Sequence, residues 1–401
     1  MLRAGLAGTL RYGPAVKITS IETFKVPPRW LFVRIGTDEG VVGWGEPVVE
    51  GRADTVRACV AELSALLLGQ DPMRIEDHWQ VMTKSSFYRG GPVLSSAVAG
   101  LDQALWDIAG KTLGVPVHVL LGGPVRDKIR MYTWVGGDEP AEIADQVAAA
   151  VANGFTAVKM NAGGKMHHLG TVAELDAVVE RATAARDAIG PTRDVALDGH
   201  GRLSLANARR LARLLEPVRP FFLEEPVLPE ITHLLRDVVE STTVPIATGE
   251  RLFSRRDFLP ALQAGIAVAQ PDLSHAGGIS EVRRIAALAE TYDVAIAPHC
   301  PLGPLALAAS LQIGFATPNY LIQEQSMGIH YNAGNELLDH VLNSDALKIV
   351  DGYVHRLTGP GLGVEIDEDA VRAVDRAGHD QHGRDWATPW WRHDDGSFAE
   401  W

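Results

Sequence analysis

Asp198, Glu224 and Glu250 stand 26 residues apart, 198 to 224 and 224 to 250, and each closes a short apolar run: VALD, FFLE and PIATGE. That spacing is roughly one strand-loop-helix-loop unit, so acids repeating at it converge at one end of a parallel barrel. Three carboxylates on neighbouring strands suit a hard divalent cation such as Mg²⁺. The plainer alternative is a set of acids that solvates a rim or caps the following helices. Alternation along a strand puts residues i and i+2 on one face, so His200 is expected to share the mouth with Asp198. His299 ends the run VAIAPH and Asp272 ends AVAQPD, on adjacent strands where a hydrogen bond would orient the imidazole and raise its basicity, unless Asp272 only caps a helix. Glu324 ends the last run, YLIQEQ.

One cation flanked by two histidines from different strands can take a proton next to a carboxylate, stabilise the resulting enediolate and protonate a leaving group. A protonated Glu324 is expected to help as a hydrogen-bond donor. Lys159 and Asn161 on the second strand are candidate substrate contacts, with a snorkelling strand-end lysine as the alternative for Lys159. Arg29 and Trp30 in PPRW are candidates for a lid over the substrate, against a Pro-fixed turn with Trp30 packed inward.

These residues need a scaffold that aims them at one point. Residues 17–125 read as an α+β unit: strands KITSIETFKV, LFVRIGTDEG and VVGWGEPVV, with a turn at Asp38–Gly40, then helices over Ala53–Leu68, Ile75–Met82 and Leu94–Leu113. Residues 126–325 alternate strand and helix. KIRMYTW, TAVKMN, DVALDGH, FFLEEP, PIATGE, AVAQPD, VAIAPH and YLIQEQ give eight candidate strands. A doubly wound open sheet has the same local signature, but polar side chains end nearly every strand, as the mouth of a (β/α) barrel would collect them. Residues 326–401 supply no further strand-helix unit and are expected to return to the first domain. Residues 1–16 read as an N-terminal extension and not a signal peptide, because the apolar stretch is short and broken by glycine.

A chain of 401 residues, 46% apolar and 22% charged, is too long for one ordinary core and fits a barrel plus a smaller domain. A net charge of −13 argues against nucleic acid or an anionic membrane as the main partner. Only Cys59 and Cys300 are present, which fits a reducing, cytoplasmic setting without a disulfide framework. No apolar run reaches the length of a membrane span.

The spaced Asp/Glu/Glu trio, the GWGEP hairpin edge, the strand ends QPD and APHCP, and the two-domain order resemble the enolase superfamily, mandelate racemase subgroup. Within it, PPRW (27–30), FYRGGP (87–92), ALWDIAGK (104–111), EEPVLPE (224–230), TGERLFSR (248–255), QPDLSHAGGI (270–279), APHCPLGP (297–304), QEQSMGIHYN (323–332) and the final WRHDDGSFAEW resemble the D-galactonate dehydratase family. The resemblance runs from about residue 17 to 401. It implies an α/β fold, a modified (β/α)7β TIM-type barrel with an N-terminal α+β capping domain, and one Mg²⁺ per subunit held by Asp198, Glu224 and Glu250. It also implies His299 as the base at C2 supported by Asp272, His200 as the acid at the C3 hydroxyl, and Glu324 as stabiliser of the enediolate. The implied reaction turns a small sugar acid, D-galactonate, into 2-dehydro-3-deoxy-D-galactonate and water in a homo-oligomeric enzyme.

Two departures bear on that expectation. Gly199 stands where the family has a bulky aromatic, and the loop AGGKMHHLG borders the mouth, with His167 and His168 most simply solvent-exposed. Relatives that racemise or cycloisomerise carry K-x-K on the second strand, whereas this chain has Lys159, Met160, Asn161; an amide is no base, so a lysine-based racemase is disfavoured. The alternatives kept open are dehydration of another aldonic acid, such as gluconate or a deoxy sugar acid, a C2 epimerase using His200 and His299 as opposed bases, and a catalytically silent barrel.

Overall fold

The computed structural model describes residues 16–329, 332, 334–378 and 391–400. The expected N-terminal extension therefore lies almost wholly outside the described residues. The first unit is an antiparallel sheet of β1 (Ile18–Val26), β2 (Trp30–Thr37) and β3 (Val42–Gly45), in that order, covered by α1 (Ala53–Leu67), α2 (Ile75–Lys84) and α3 (Pro92–Leu113), with a short α4 (Val117–Leu120). The glycines of GWG have a packing reason. A Cβ on Gly43 would sit 2.1 Å from the Ala104 carbonyl oxygen and one on Gly45 2.0 Å from that of Gly100, so α3 lies directly on β3 only because both are glycine.

The second unit alternates β5 (Thr133–Trp134), α5 (Pro140–Ala152), β6 (Ala157–Asn161), α6 (Val172–Ile189), β7 (Asp194–Asp198), α7 (Leu205–Leu214), β8 (Leu223–Glu224), α8 (Leu235–Val239), β9 (Ile246–Thr248), α9 (Arg255–Ala264), β10 (Val268–Ala269), α10 (Gly278–Thr291), β11 (Ala295–Ile296) and α11 (Pro304–Ala316). The seven strands form one parallel sheet in sequential order. Residues 319–323 close it: Ile296 bridges Tyr320 on one edge and Met131 bridges Gln323 on the other, with Leu321 N donating to Ile296 O and Tyr132 N to Gln323 O. Tyr132, Ala157, Ala196, Phe222, Ala247, Val268, Ala297 and Ile322, one from each strand position, pack together as a cluster separate from the main core. That inner layer belongs to a closed barrel, not to an open sheet, and seven βα units plus a final strand give the (β/α)7β order.

Two expected strands differ in detail. KIRMYTW is split, because β4 (Lys128–Arg130) turns outward and pairs antiparallel with β13 (Tyr353–His355), which in turn pairs with β12 (Ile349–Val350); only Thr133–Trp134 joins the barrel ladder. YLIQEQ is held by single bridges on each side and not by a regular ladder. Further along, α12 (Glu368–Ala377) lies on β1, where Arg372 pairs with Glu22, Arg34 with Glu368, and Lys25 N donates to Asp375. Among the described residues no helix is long and apolar enough to cross a membrane.

The first unit is fastened over the barrel mouth by buried polar contacts. Glu46, just after β3, accepts from Gly303 N at 2.8 Å and Ala306 N at 3.0 Å, filling the N-terminus of α11. Gln103 Nε2 donates to Leu273 O, Trp79 Nε1 to Gly277 O and Trp106 Nε1 to Ser280 Oγ, so the turn between β10 and α10 is clamped from above.

Candidate active site

The strand register delivers the acids together. Asp198 and Glu224 are Cα partners at the ends of β7 and β8, and Asn161 at the end of β6 is opposite Asp198. Glu250 follows β9, separated from it by Gly249. Asp198, Glu224 and Glu324 are buried; Glu250 is nearly so. Burial and the charges of Asp198, Glu324 and Glu250 push Glu224 up despite Lys159, whereas Glu250 is held low because His299, His200 and Arg251 outweigh its own burial. Burying several carboxylates together costs free energy unless positive charge sits among them.

Lys159 is not a snorkelling lysine. It is buried, with Nζ 2.8 Å from Glu224 Oε1 and 2.7 Å from Glu324 Oε1, and the Tyr132 ring centroid is 5.5 Å away. Glu324 Oε2 accepts from Cys300 N at 2.9 Å. Lys159 and Cys300 N thus both approach Glu324, and the cationic partner at that point is Lys159.

His299 Nδ1 lies 2.9 Å from Asp272 Oδ2, and its Nε2 lies 3.5 Å from Glu250 Oε2. Asp272 Oδ1 is held by Ser274 N at 2.6 Å, so the carboxylate is fixed before it meets the imidazole. Burial opposes a charge on His299, but Glu250, Asp272 and Glu324 outweigh it and raise its proton affinity well above the ordinary imidazole range.

His200 reaches the site by a different route from the expected one. It has φ +52° and Glu225 has φ +38°, both left-handed, so neither continues strand alternation. Asp198 Oδ1 accepts from His200 N at 2.7 Å and turns the chain back over the strand end. Burial lowers the proton affinity of His200, opposed by the nearby Asp198 and Glu250. Glu225 is buried, paired with Arg251 and close enough to Glu250 and Asp198 for burial and their charge to raise it. At Gly199 a Cβ would lie 2.8 Å from the Glu225 carbonyl oxygen, so this backbone path has no room for an aromatic side chain.

Arg29 is buried and donates from NH2 to Pro301 O at 2.9 Å, beside the strand end that carries His299. Trp30 is fully buried and stacked on Phe32, with ring centroids 6.3 Å apart, so the structure gives it a packing place and not a lid. His167 and His168 are exposed, and His167 pairs with Glu174 at 2.7 Å.

Sequence reasoning missed His275 and Glu50. His275 Nε2 is 3.2 Å from Glu50 Oε2, and its Nδ1 is 3.9 Å from Asp272 Oδ2. The only signal was position: His275 lies inside QPDLSHAGGI, three residues after Asp272, and Glu50 follows GWGEP. Burial works against a charge on His275, yet Asp272 and Glu50 outweigh it and push it up to about 9. Because the folded pKa lies above the ordinary value of about 6.5, the stability it contributes is full below that value and is lost as pH rises through about 9. His275→Gln is therefore expected to lower the melting temperature most near pH 6 and least near pH 10, as thermal unfolding across that range would show; a deficit that grows with pH contradicts this.

Two groups are candidates for a cation. Among the described residues, the acid and histidine group whose ligating atoms all lie within 4.8 Å of one another is Asp272, His275 and His299, not the carboxylate trio. Its imidazoles are already engaged with Asp272 and Glu50. The trio has the harder donor set, and its carboxylates are drawn apart by individual partners, His200 N on Asp198 and Lys159 on Glu224. Glu224 Oε2 and Glu250 Oε2 are buried with no hydrogen bond among the described residues. Three carboxylates, two of them with a buried oxygen that accepts no hydrogen bond, are a harder donor set and fit Mg²⁺ better than an Asp/His set does.

Residues 13–122 match the family model described as mandelate racemase / muconate lactonizing enzyme, N-terminal domain, and residues 142–370 match enolase C-terminal domain-like. The chain is 53% identical over 387 residues to a D-galactonate dehydratase of Variovorax paradoxus and 54% identical over 387 residues to one of Ralstonia pickettii, in each case over 96% of this chain and 100% of the relative. A solved mandelate racemase/muconate lactonizing enzyme from Sulfitobacter sp. superposes with a TM-score of 0.84 at 31% identity, covering 91% of this chain and 97% of that one.

Proposed function

Because the chain belongs to the enolase superfamily, in its mandelate racemase and muconate lactonizing group, we propose that it is a Mg²⁺-dependent sugar acid dehydratase that converts D-galactonate to 2-dehydro-3-deoxy-D-galactonate and water. The observation that carries this reading is that two histidines adjoin one carboxylate cluster: His299 Nε2 lies 3.5 Å from Glu250 Oε2, and His200, tied to Asp198 through its main chain, has a ring close enough to feel the charges of Asp198 and Glu250. Kinship with D-galactonate dehydratases along nearly the whole chain supports D-galactonate as the substrate.

Asp198, Glu224 and Glu250 would hold the cation. When bound, Mg²⁺ supplies positive charge to the substrate carboxylate and so acidifies the adjacent C–H. His299 takes the C2 proton at Nε2, while Asp272 fixes Nδ1 and balances the charge that arrives on the ring. The electron pair released at C2 moves onto the carboxylate, where the Lys159 ammonium, held between Glu224 and Glu324, faces it. As that pair returns to form the C2–C3 double bond, the C3–O bond breaks and His200 gives its proton to the departing hydroxyl, which leaves as water. The enol then tautomerises to the 2-keto-3-deoxy acid. Asn161 and Arg29 lie at the strand end and beside the roof, where they would contact the sugar chain.

Lys159 is engaged by Glu224 and Glu324, which disfavours a lysine-based racemase; an epimerase using His200 and His299 would instead return galactonate deuterated at C2 from D₂O with no keto product. We also propose a cytoplasmic setting, in keeping with a sugar acid substrate, and a homo-oligomer, as kinship suggests. A panel of aldonic acids incubated with the purified protein and Mg²⁺ tests the substrate: a keto acid should form from D-galactonate, and turnover of another epimer alone would overturn the assignment.

A further inference from the structure

The C-terminal tail reaches the barrel mouth. Trp391 lies across the guanidinium of Arg202, whose Cζ is 4.8 Å from the ring centroid. Arg202 NH1 donates to Gly163 O at 2.6 Å, and its NH2 lies 3.4 Å from His200 Nδ1. Two more contacts fasten the same tail to the loop between β6 and α6: Lys165 Nζ donates to Arg392 O at 2.9 Å, and the His393 ring stacks on His167 with centroids 4.3 Å apart. The tail is itself folded, with Arg392 bridged to Phe398, Ala399 N donating to Trp391 O at 3.0 Å, and Ala399 buried.

The loop that receives the tail is anchored. Glu174 accepts from His167 N and Thr171 N, Asn207 Nδ2 donates to His167 O, and Ser204 Oγ donates to His168 O. Arg202 thus sits between a fixed loop and an aromatic plate. An arginine side chain has many rotamers, and an aromatic face over the guanidinium selects few of them. With Nδ1 turned towards Arg202, Nε2 is presented on the opposite side of the ring.

We propose that Trp391 is a positioning residue: by covering Arg202 it keeps the guanidinium against His200 Nδ1 and so keeps His200 Nε2 aimed at the leaving hydroxyl. The C-terminal tail is then part of the machinery for loss of water and not only a packing element. This rests on the assignment of His200 as the acid. It separates two halves of the reaction, since proton removal at C2 belongs to His299, which follows a different strand.

The test uses the full chain with Mg²⁺ and D-galactonate in D₂O, comparing wild type, Trp391→Ala and Trp391→Phe. For Trp391→Ala, dehydration kcat is expected to fall about tenfold or more, with KM little changed, while recovered galactonate acquires deuterium at C2. Trp391→Phe should regain most of the dehydration rate. Dehydration by Trp391→Ala at the wild-type rate overturns the proposal, and so does a parallel loss of dehydration and C2 exchange. Should Trp391→Ala not fold, Arg202→Lys carries the same test, since an ammonium lacks the planar fork under the indole and should show the same split. A wild-type protein that dehydrates no aldonate removes the assignment beneath, a result distinct from an active wild type with an unaffected Trp391→Ala.

Discussion

His299→Asn is expected to lose dehydration by on the order of a thousandfold, together with any exchange of the C2 proton. Asparagine keeps a hydrogen-bonding group of similar reach towards Asp272 but cannot accept a proton at any useful pH. The side chain is buried between Asp272 and Glu250, so the substitution also leaves two carboxylates without their imidazole. A modest fall in melting temperature should accompany the loss, and circular dichroism should show an intact fold. The decisive readout is deuterium incorporation at C2. If the variant still exchanged that proton, the base would have to be found elsewhere, with His200 the first place to look.

The second large effect is expected at the carboxylate trio. Glu250→Gln removes one charge from a cluster whose buried Oε2 atoms on Glu224 and Glu250 have no hydrogen bond among the described residues. Electrostatic assistance from a bound cation is worth several kcal/mol, so kcat/KM should fall roughly a hundredfold to several thousandfold. Activity alone would not separate a lost ligand from a displaced base, because Glu250 also touches His299. Thermal unfolding does separate them. Wild type should melt higher as Mg²⁺ is added, since a ligand of the folded state stabilises it by mass action, and Glu250→Gln should lose most of that rise. A variant with an undiminished Mg²⁺ response would show that the cation is held by other residues.

Much of this was legible in the chain, for identifiable reasons. Asp198 and Glu224 lie at strand ends whose register is set by apolar runs, and parallel register carries the acids to one rim. The Asp272–His299 contact follows from the adjacency of β10 and β11. His200 was placed in the mouth by an argument the backbone does not obey: its left-handed φ, not alternation, turns it there. Glu225 breaks alternation in the same way. Contacts that join distant segments left no local trace. Lys159 meets Glu224 and Glu324 across the barrel, Glu50 meets His275 between the two units, and Trp391 meets Arg202 from the far end of the chain. Each depends on tertiary packing, which periodicity and spacing do not encode. Trp30 shows the reverse case, where a motif next to Arg29 suggested function and packing against Phe32 took the side chain.

A site built in this way should remove a proton at C2 and expel the hydroxyl at C3 of one aldonic acid. Proton NMR of D-galactonate incubated with the wild-type protein and Mg²⁺ in D₂O tests it most directly. Galactonate should disappear as a 2-keto-3-deoxy acid accumulates. Galactonate recovered with deuterium at C2 and no keto product, or left untouched, would contradict it.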